Sequence, residues 1–427
     1  MVRGCWLLVI AMAACSIESS DFLPAIDAPA GGAIDAAPAP LPVDVSGYMV
    51  STGGLAPAGV AQVEGTVVVV GSHAPTPASS NGALLIAVTD GPQVQTFSAS
   101  GPVELEAIAT SGGSMMMAGR MLGGSGGEQG ILVRGTFLSG YSGVVLSYPG
   151  EPVRVTGAAA LPSGWAVVGP NGGQLLLVLV DQMLQIDMAL HLSLDGTASA
   201  LSVGRVVSEG SRLYVVGSFA VGGQRRGWAA ALETTGGMLS PVWGVSLGAA
   251  AALDLIDVTP SGSELEVVGR LGEDGVLVRL DRVTGTVAES ALLPGLPLST
   301  VVRSGGALWV AGDAGAGPFA GRLDTALAGV RFEGFSLPSQ GGAALLPGPA
   351  EPTLLLGRAG AVVLAPLNRD PRAACAGAPY GVPFTVAMAP VAVTTSKTGV
   401  GGSGIALATT AGVAINRLTP MPAAACP

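Results

Sequence analysis

The chain has 427 residues, of which 49% are hydrophobic and 11% are charged, and this composition argues against a disordered protein because it supplies ample apolar material for a core. Its 66 glycines and 31 prolines favour many short strands joined by turns, since glycine costs about 1 kcal/mol and proline about 3 kcal/mol in a helix interior. The formal net charge of −10 and the scattered arginines argue against nucleic-acid binding, because phosphate backbones would be repelled.

The first fifteen residues have the pattern of an export signal. Arg3 supplies a basic start, and an apolar stretch follows it. The stretch ends in Met12, Ala13, Ala14 and Cys15. These four residues resemble the lipobox of the bacterial lipoprotein family, in which the cysteine is lipidated and becomes the mature N-terminus, although Met12 stands where leucine is usual. Residues 1–14 are therefore predicted to be a lipoprotein signal peptide.

The resemblance implies that lipid on Cys15 anchors the protein in a membrane of the cell envelope, where several acyl chains hold far better than one. Ser16 follows the cysteine, at a place where aspartate usually accompanies retention at the inner membrane. The family pattern therefore favours the outer membrane, on its periplasmic or its surface face. The alternative is a plain secretory signal that is cleaved near Ala13 or Ala14, with Cys15 unmodified.

Residues 15–46 are rich in proline and alanine and are predicted to be a tether. Five prolines interrupt the segment, namely Pro24, Pro29, Pro38, Pro40 and Pro42. A segment of this kind cannot bury enough apolar surface to order itself. As a flexible coil it would reach roughly 30 Å, so the folded body can stand off the membrane.

From residue 47 to residue 427 one pattern recurs: an apolar run that ends in glycine, a polar loop and a second apolar run. The clear glycines are Gly71, Gly119, Gly169, Gly217, Gly269, Gly312 and Gly357. Their mean spacing of about 48 residues fits a four-stranded propeller blade, whereas β-helix coils and leucine-rich repeats are shorter. The spacing therefore indicates a β-propeller.

The repeat around Gly217 can be divided into four strands. The predicted strands are Leu201–Val207, Arg212–Phe219, Gly227–Glu233 and Val242–Leu247. Such blades cover each other's apolar faces when they close into a ring. We predict an all-β propeller of eight blades over residues 47–427, with Ile405–Ala408 as a weak eighth copy and seven blades as the near alternative.

The repeats also resemble those of secreted bacterial propellers. In the fifth repeat, Leu280, Asp281, Thr284 and Gly285 match the Leu-Asp-x-x-Thr-Gly pattern of pyrroloquinoline-quinone-type propellers, but no tryptophan follows them. The resemblance covers most of residues 60–370, and its motifs are short and structural. It implies a propeller fold and says nothing about activity.

The two cysteines of the mature chain outside the anchor are Cys375 and Cys426. In an oxidising periplasm they are expected to form a disulfide, which would stabilise the C-terminal region by roughly 4 kcal/mol on the loop-entropy model. The alternatives are two free thiols or a metal site, and a metal site would need further cysteine or histidine ligands nearby.

No catalytic residue, cofactor or metal site is predicted. The two histidines, His73 and His191, are far apart in the sequence, whereas zinc needs three or four clustered ligands. Gly399–Gly404 fits the dinucleotide-binding pattern, but no helix is indicated after it, so we interpret it as a loop. In several repeats an acidic residue follows or ends the second apolar run. We interpret these residues as turn residues rather than metal ligands. They are Asp90, Asp181, Glu233, Asp281 and Asp324.

The positions after the repeat glycines form the candidate ligand face. If the blades superpose, these positions lie at one radius on one face, and they include Arg120, Arg270, Arg358 and Asp313. The three arginines could meet an anionic ligand or partner. The alternative interpretation is a set of solvated loop ends.

The leading hypothesis for function is a non-enzymatic interaction module of the cell envelope that binds another envelope protein or a polymer. The alternative is a propeller enzyme, such as a quinone-dependent dehydrogenase, a lactonase or a glycan-cleaving enzyme. An enzyme would require at least three titratable residues from different blades to meet in the central channel. A channel lined by small residues would favour the binding module.

Overall fold

The structure is a computed structural model that describes most of the chain after residue 47. The described residues are 48–51, 55–76, 79–87, 93–123, 127–136, 140–194, 199–314, 317–323, 327, 331–334, 343–348, 352–358, 361–367, 382–411 and 416–418. They form β-strands and no α-helix, so none of them belongs to a helix that could cross a membrane. The predicted all-β class is confirmed.

The strands build antiparallel sheets, which we call blades and number along the chain. The first strand, β1 (Tyr48–Ser51), belongs to the last blade. Blade 1 contains β2 (Leu55–Val63), β3 (Thr66–Thr76), β4 (Ser79–Ala87) and β5 (Gln93–Ser98). Blade 2 contains β6 (Val103–Ser111), β7 (Ser114–Gly123), β8 (Gly127–Thr136) and β9 (Ser142–Ser147). Blade 3 contains β10 (Gly157–Leu161), β11 (Gly164–Asn171), β12 (Gln174–Asp181) and β13 (Ile186–Leu194).

The next three blades repeat this plan. Blade 4 contains β14 (Ser199–Glu209), β15 (Arg212–Val221), β16 (Gln224–Thr235) and β17 (Met238–Gly248). Blade 5 contains β18 (Leu253–Ser261), β19 (Glu264–Leu271), β20 (Asp274–Asp281) and β21 (Val287–Leu293). Blade 6 contains β22 (Leu298–Ser304), β23 (Ala307–Ala314), β24 (Gly317–Leu323) and β25 (Arg331–Gly334). The four strands predicted around Gly217 are confirmed as β14 to β17.

Blade 7 joins the two ends of the repeat region. It contains β26 (Ala343–Leu346), β27 (Thr353–Arg358) and β28 (Ala361–Pro366), and β1 supplies its fourth strand by pairing with β28. The first strands of the blades contact one another in a closed cycle, from β2 through β6, β10, β14, β18 and β22 to β26 and back to β2. The propeller class is therefore confirmed, but the preferred count of eight is wrong, because the described residues form seven sheets.

The C-terminal part of the chain winds around the outside of this ring. Its strands are β29 (Val382–Pro383), β30 (Ala387–Pro390), β31 (Val393–Lys397), β32 (Gly401–Ile405), β33 (Ala408–Ala411) and β34 (Asn416–Leu418). We call β29–β34 the belt. In chain order they add an antiparallel fifth strand to blades 5, 4, 3, 2, 1 and 7. Blade 6 has four strands among the described residues.

The belt corrects two sequence predictions. Ile405–Ala408 is not an eighth blade, because Ile405 ends β32 on the outer edge of blade 2 and Ala408 begins β33 on blade 1. The segment Gly399–Gly404 is not only a loop, since its last four residues belong to β32. Both segments look like weak repeats or loops because a strand added to an outer edge leaves most of its side chains in solvent.

The repeat glycines have a steric cause. The first strands of blades 1, 2, 4, 5 and 6 carry a β-bulge opposite the glycine, which brings the inner backbone close to it. A Cβ on Gly217 would lie 1.9 Å from the carbonyl oxygen of Ser202, and one on Gly269 would lie 2.2 Å from that of Asp254. Only glycine fits there, and the same close contact with a carbonyl oxygen explains why the residue recurs in blades 1 to 6.

The Leu-Asp-x-x-Thr-Gly segment ends β20 and forms the turn before β21, and a tryptophan of the preceding blade contacts it. The indole of Trp243, on β17, donates from Nε1 to the carbonyl oxygen of Arg282 at 3.1 Å. A Cβ on Gly285 would lie 2.6 Å from Cε3 of the same ring. Trp243 therefore docks blade 4 onto blade 5, so the motif packs two blades together.

Candidate functional site

The central channel is the first candidate site. The first strands of all seven blades surround a cavity of about 450 Å³. Its described lining consists of residues 60–62, 108–110, 158–160, 205–208, 257–259, 300–302 and 344–347. Most of these side chains are alanine, valine, leucine or threonine. Ala158, Ala159 and Ala160 form the whole contribution of blade 3.

Arg205 and Asp257 are the two ionisable residues in this described lining, and they lie on adjacent blades. Nε of Arg205 is 3.6 Å from Oδ1 of Asp257. The other carboxylate oxygen, Oδ2, accepts from Thr300 Oγ1 at 2.8 Å and from the Val301 amide at 3.0 Å. These contacts join blades 4, 5 and 6 and satisfy the buried carboxylate. The polar groups of the channel thus hold blades together.

The channel lining bears on the two functional hypotheses. Two titratable residues that face each other as an ion pair do not supply the three convergent groups that the enzyme hypothesis requires. The remaining lining is small and mostly apolar. A propeller of this kind supports an interaction or scaffold role.

The predicted ligand face has its arginines at equivalent positions, but Arg120 is already paired. Nε of Arg120 donates to Glu104 at 2.7 Å and Nη1 donates to Glu128 at 3.0 Å, while Glu106 lies 3.5 Å away. Although burial disfavours its charge, the hydrogen bonds to Glu104 and Glu128 raise the pKa of Arg120. An anion at this position would have to displace carboxylates that are already in place.

The other members of that face are less informative. Nε of Arg270 donates to the carbonyl oxygen of Leu298 at 3.1 Å, which links blade 5 to blade 6. Asp313 is half-buried on β23, and the side chain of Arg358, at the end of β27, lies outside the described residues. Binding of an anion by Arg270 or Arg358 remains a prediction, as does a place for Asp313 on the ligand face.

Two ion-pair clusters lie between strands, one around the buried Glu266 and one around the half-buried Glu106, and sequence reasoning missed both. The side chain of Glu266 is 1% exposed, and Arg279 donates to it at 3.0 Å and to Glu289 at 2.8 Å. Burial raises the pKa of Glu266, against the opposing effect of Arg279. Burial likewise raises the pKa of Glu106, whose two carboxylate oxygens share the Nε–H of Arg154 in the segment between β9 and β10. These groups stabilise the packing of strands and blades.

Two of the predicted turn acids act as expected. Oδ1 of Asp181 accepts from the amides of Met183 and Gln185 at 2.7 and 2.8 Å. Oδ1 of Asp281 accepts from the Thr284 side chain and amide, and these bonds lower the pKa of Asp281. Both acids therefore shape the turn between the third and fourth strands of their blade.

Glu233 and the histidines are also engaged in structure. Glu233 pairs with Arg212 at 2.8 Å, while Asp90 and Asp324 lie outside the described residues. His73 is buried in blade 1, and Nε2 of His191 in blade 3 is 3.1 Å from the Asn171 amide oxygen.

Within the described ranges no three histidine, cysteine or acidic residues are grouped as metal ligands. Cys15, Cys375 and Cys426 lie outside those ranges.

A second candidate site is a set of three exposed apolar side chains at turns on one face of blades 3 to 5, which we call the apolar turns. Met183, Met238 and Val283 lie at the turns between the third and fourth strands and are 75%, 54% and 66% exposed. Because these turns share one end of their sheets, the three side chains lie on the same face of the propeller. A cavity of about 490 Å³ lined by Trp243, Thr284 and other residues adjoins the turn of Val283.

Comparisons with known proteins add a limited structural likeness. No protein-family model matches the chain, and no curated protein matches it. Two crystal structures of Sqt1 from Chaetomium thermophilum are similar to it at 14% and 15% sequence identity, with TM-scores of 0.43 and 0.42. Each match covers 76% of this chain, and 99% and 98% of the respective Sqt1 chains. The assignment of the propeller rests on the sheets and their closed cycle.

Proposed function

We propose that the protein is a non-enzymatic interaction module of the bacterial cell envelope, held at a membrane by lipid on Cys15. The observation that carries the proposal is the central channel, where small residues surround one interblade ion pair. The fold supports an interaction or scaffold role at a coarse level. The envelope location depends on the lipobox resemblance of residues 12–15.

The surface that we propose for partner binding consists of the apolar turns, namely Met183, Met238 and Val283. Each of these side chains exposes apolar area that a partner would remove from water. Asp181 and Asp281 hold the turns of Met183 and Val283 through hydrogen bonds, so these side chains are displayed by ordered turns. The proposed partner is a protein with an apolar patch, because burial of apolar area drives such association.

Replacing these side chains should remove the partner. We expect the triple variant Met183→Ser, Met238→Ser and Val283→Ser to bind its envelope partner at least about tenfold more weakly, since each loses apolar area at the interface. The measurement is affinity purification of the full-length lipidated chain from envelope extract, followed by titration of the recovered partner.

Leu122→Ser is the matched control for that experiment. Leu122 is 40% exposed but lies at the turn between the second and third strands of blade 2, on the opposite face. The control variant should keep the partner. If the triple variant retains the same partner with unchanged affinity, or the wild-type chain retains none, the proposed surface is wrong.

The anchor is tested separately. We expect Cys15→Ser to move the protein from the membrane fraction to the soluble fraction, because the acyl chains have no other attachment point in the lipobox pattern. Cell fractionation with mass spectrometry of the mature N-terminus measures this. Cys5→Ser, in the predicted signal peptide, is the control and should leave the protein in the membrane fraction. An unmodified Cys15 in the wild-type protein would contradict the anchor.

A further inference from the structure

The outer edge of blade 4 contains a pocket that none of the sites above explains. It has a volume of about 310 Å³ and is lined by residues of β16, β17, the segment after β17 and the belt. Among the described residues of its lining, Arg226 is the one ionisable residue, and none of them supplies a carboxylate. The pocket is independent of the apolar turns proposed above as a protein surface.

The strand register creates the space beside Arg226. Leu247 pairs with Gly227, so Gly248 lies beside Arg226 of the neighbouring strand, and Ala387 of the belt pairs with Gly248. A Cβ on Gly248 would still lie 3.9 Å from Cδ and Nε of Arg226. Two small residues in line across the sheet therefore leave a hollow next to the guanidinium.

Arg226 differs electrostatically from most other arginines of the described chain. Arg120, Arg154, Arg212, Arg225, Arg279 and Arg282 each pair with a carboxylate. Nε of Arg226 is buried and has no hydrogen-bond partner among the described residues, and no described carboxylate lies within ion-pair distance of its guanidinium. An unpaired buried donor of a charged group is costly and calls for a partner.

We propose that this pocket binds the carboxylate of a small monocarboxylic acid, with Arg226 as the residue that holds it. A guanidinium presents a planar fork that matches a carboxylate, and this pocket offers one positive charge rather than the several that a multiply charged anion would need. Gln224, Ser246 and Thr385 add polar groups, while Ala387 and Met388 provide an apolar wall for the body of the acid. The volume falls at the lower end of the range for small-molecule sites.

The carboxylate could belong to a free acid or to the C-terminus of a peptide, and two kinds of probe separate these sources. Hexanoate represents the free acid, and its uncharged control is hexanamide. A tetrapeptide that ends in a free carboxylate represents the peptide, and its control is the same peptide with an amidated end. If the peptide with a free end binds at least tenfold tighter than hexanoate, the carboxylate that the site binds is a peptide terminus. If it does not, the carboxylate belongs to a free acid. Both results support the site.

The test is isothermal titration of the purified chain with these probes at neutral pH. We expect hexanoate to bind with a Kd of roughly millimolar order, as suits so small a ligand. Arg226→Gln should weaken this binding at least about tenfold, and Arg226→Lys should weaken it less because lysine keeps the charge without the fork. Arg225→Gln is the matched control, because Arg225 lies on the same strand and already pairs with Asp254.

The melting temperature of each variant shows whether it is folded. Arg226→Gln should melt no lower than the wild-type chain because it removes an unpaired charge. Unchanged hexanoate affinity in Arg226→Gln would overturn the proposal. Equal binding of hexanoate and hexanamide, or no saturable binding of any carboxylate probe by the wild-type chain, would also overturn it.

Discussion

A chain that ends at Leu367, and so lacks the belt, is expected to melt at least about 10 °C lower than the full chain, which corresponds to a loss of a few kcal/mol in a protein of this size. The belt covers the outer strand of blades 1 to 5 and of blade 7. Its removal exposes those backbone edges and uncovers core side chains against which Val386 packs. Exposed edges pair with other chains, so the shortened protein should also self-associate.

Scanning calorimetry and light scattering after size exclusion measure both effects. The control is a chain without residues 16–46, which removes 31 residues of the predicted tether and should melt like the full chain. A belt-less protein that stays monomeric with an unchanged melting temperature would show that the outer strands contribute nothing to stability.

The two cysteines of the predicted disulfide flank the belt in the sequence. Cys375 precedes β29 and Cys426 follows β34 in the sequence, and both lie outside the described residues. A bond between them would therefore join the chain ahead of the belt to the chain behind it. The pairing itself remains a prediction.

The second large effect is expected at a repeat glycine. Gly217→Ala should destabilise the protein by about 3 kcal/mol or more, because the added methyl group forces the backbone apart in a packed sheet. Its Cβ would lie 1.9 Å from the Ser202 carbonyl oxygen and 2.8 Å from Nε1 of Trp228. That carbonyl oxygen also accepts the indole hydrogen bond of Trp228 at 3.2 Å, so a shift would disturb blade 4 at two points.

Urea unfolding of the Gly217→Ala variant provides the measurement. The control is Gly404→Ala, since a Cβ at Gly404 would meet nothing within 4 Å and the residue is exposed on β32. Gly404→Ala should change stability by less than about 0.5 kcal/mol. Equal effects of the two substitutions would refute the steric explanation of the repeat.

Local pattern was enough to predict the blades. The apolar runs and the glycine once per repeat led to the propeller class and to the four strands of blade 4, since a bulge next to a close backbone contact recurs at the same place in blades 1, 2, 4, 5 and 6. The turn acids Asp181 and Asp281 could be interpreted for the same reason. Their hydrogen bonds connect residues no more than four positions apart.

The same local patterns could not predict which strands pair when they are far apart in the sequence. The ring closes at seven blades because β1 completes blade 7, and no local sequence feature states which strand Tyr48–Ser51 will join. The belt strands resembled a loop and a weak repeat, because strands on an outer edge need few buried side chains. The pocket beside Arg226 depends on residues some 160 positions apart in the sequence, which meet only through the belt.

The amino-acid sequence by itself determined that the chain is an all-β repeat protein with a lipobox-like start, since strand propensity, turn chemistry and small residues at close contacts are local properties. Only the tertiary structure decided the number of blades, the course of the C-terminal segment and which charges are paired. Arg120 and Arg226 look alike in the sequence, yet Arg120 meets three carboxylates and Arg226 meets none among the described residues. Such differences arise from which strands come together in space, because the energy of a charge depends on its neighbours there.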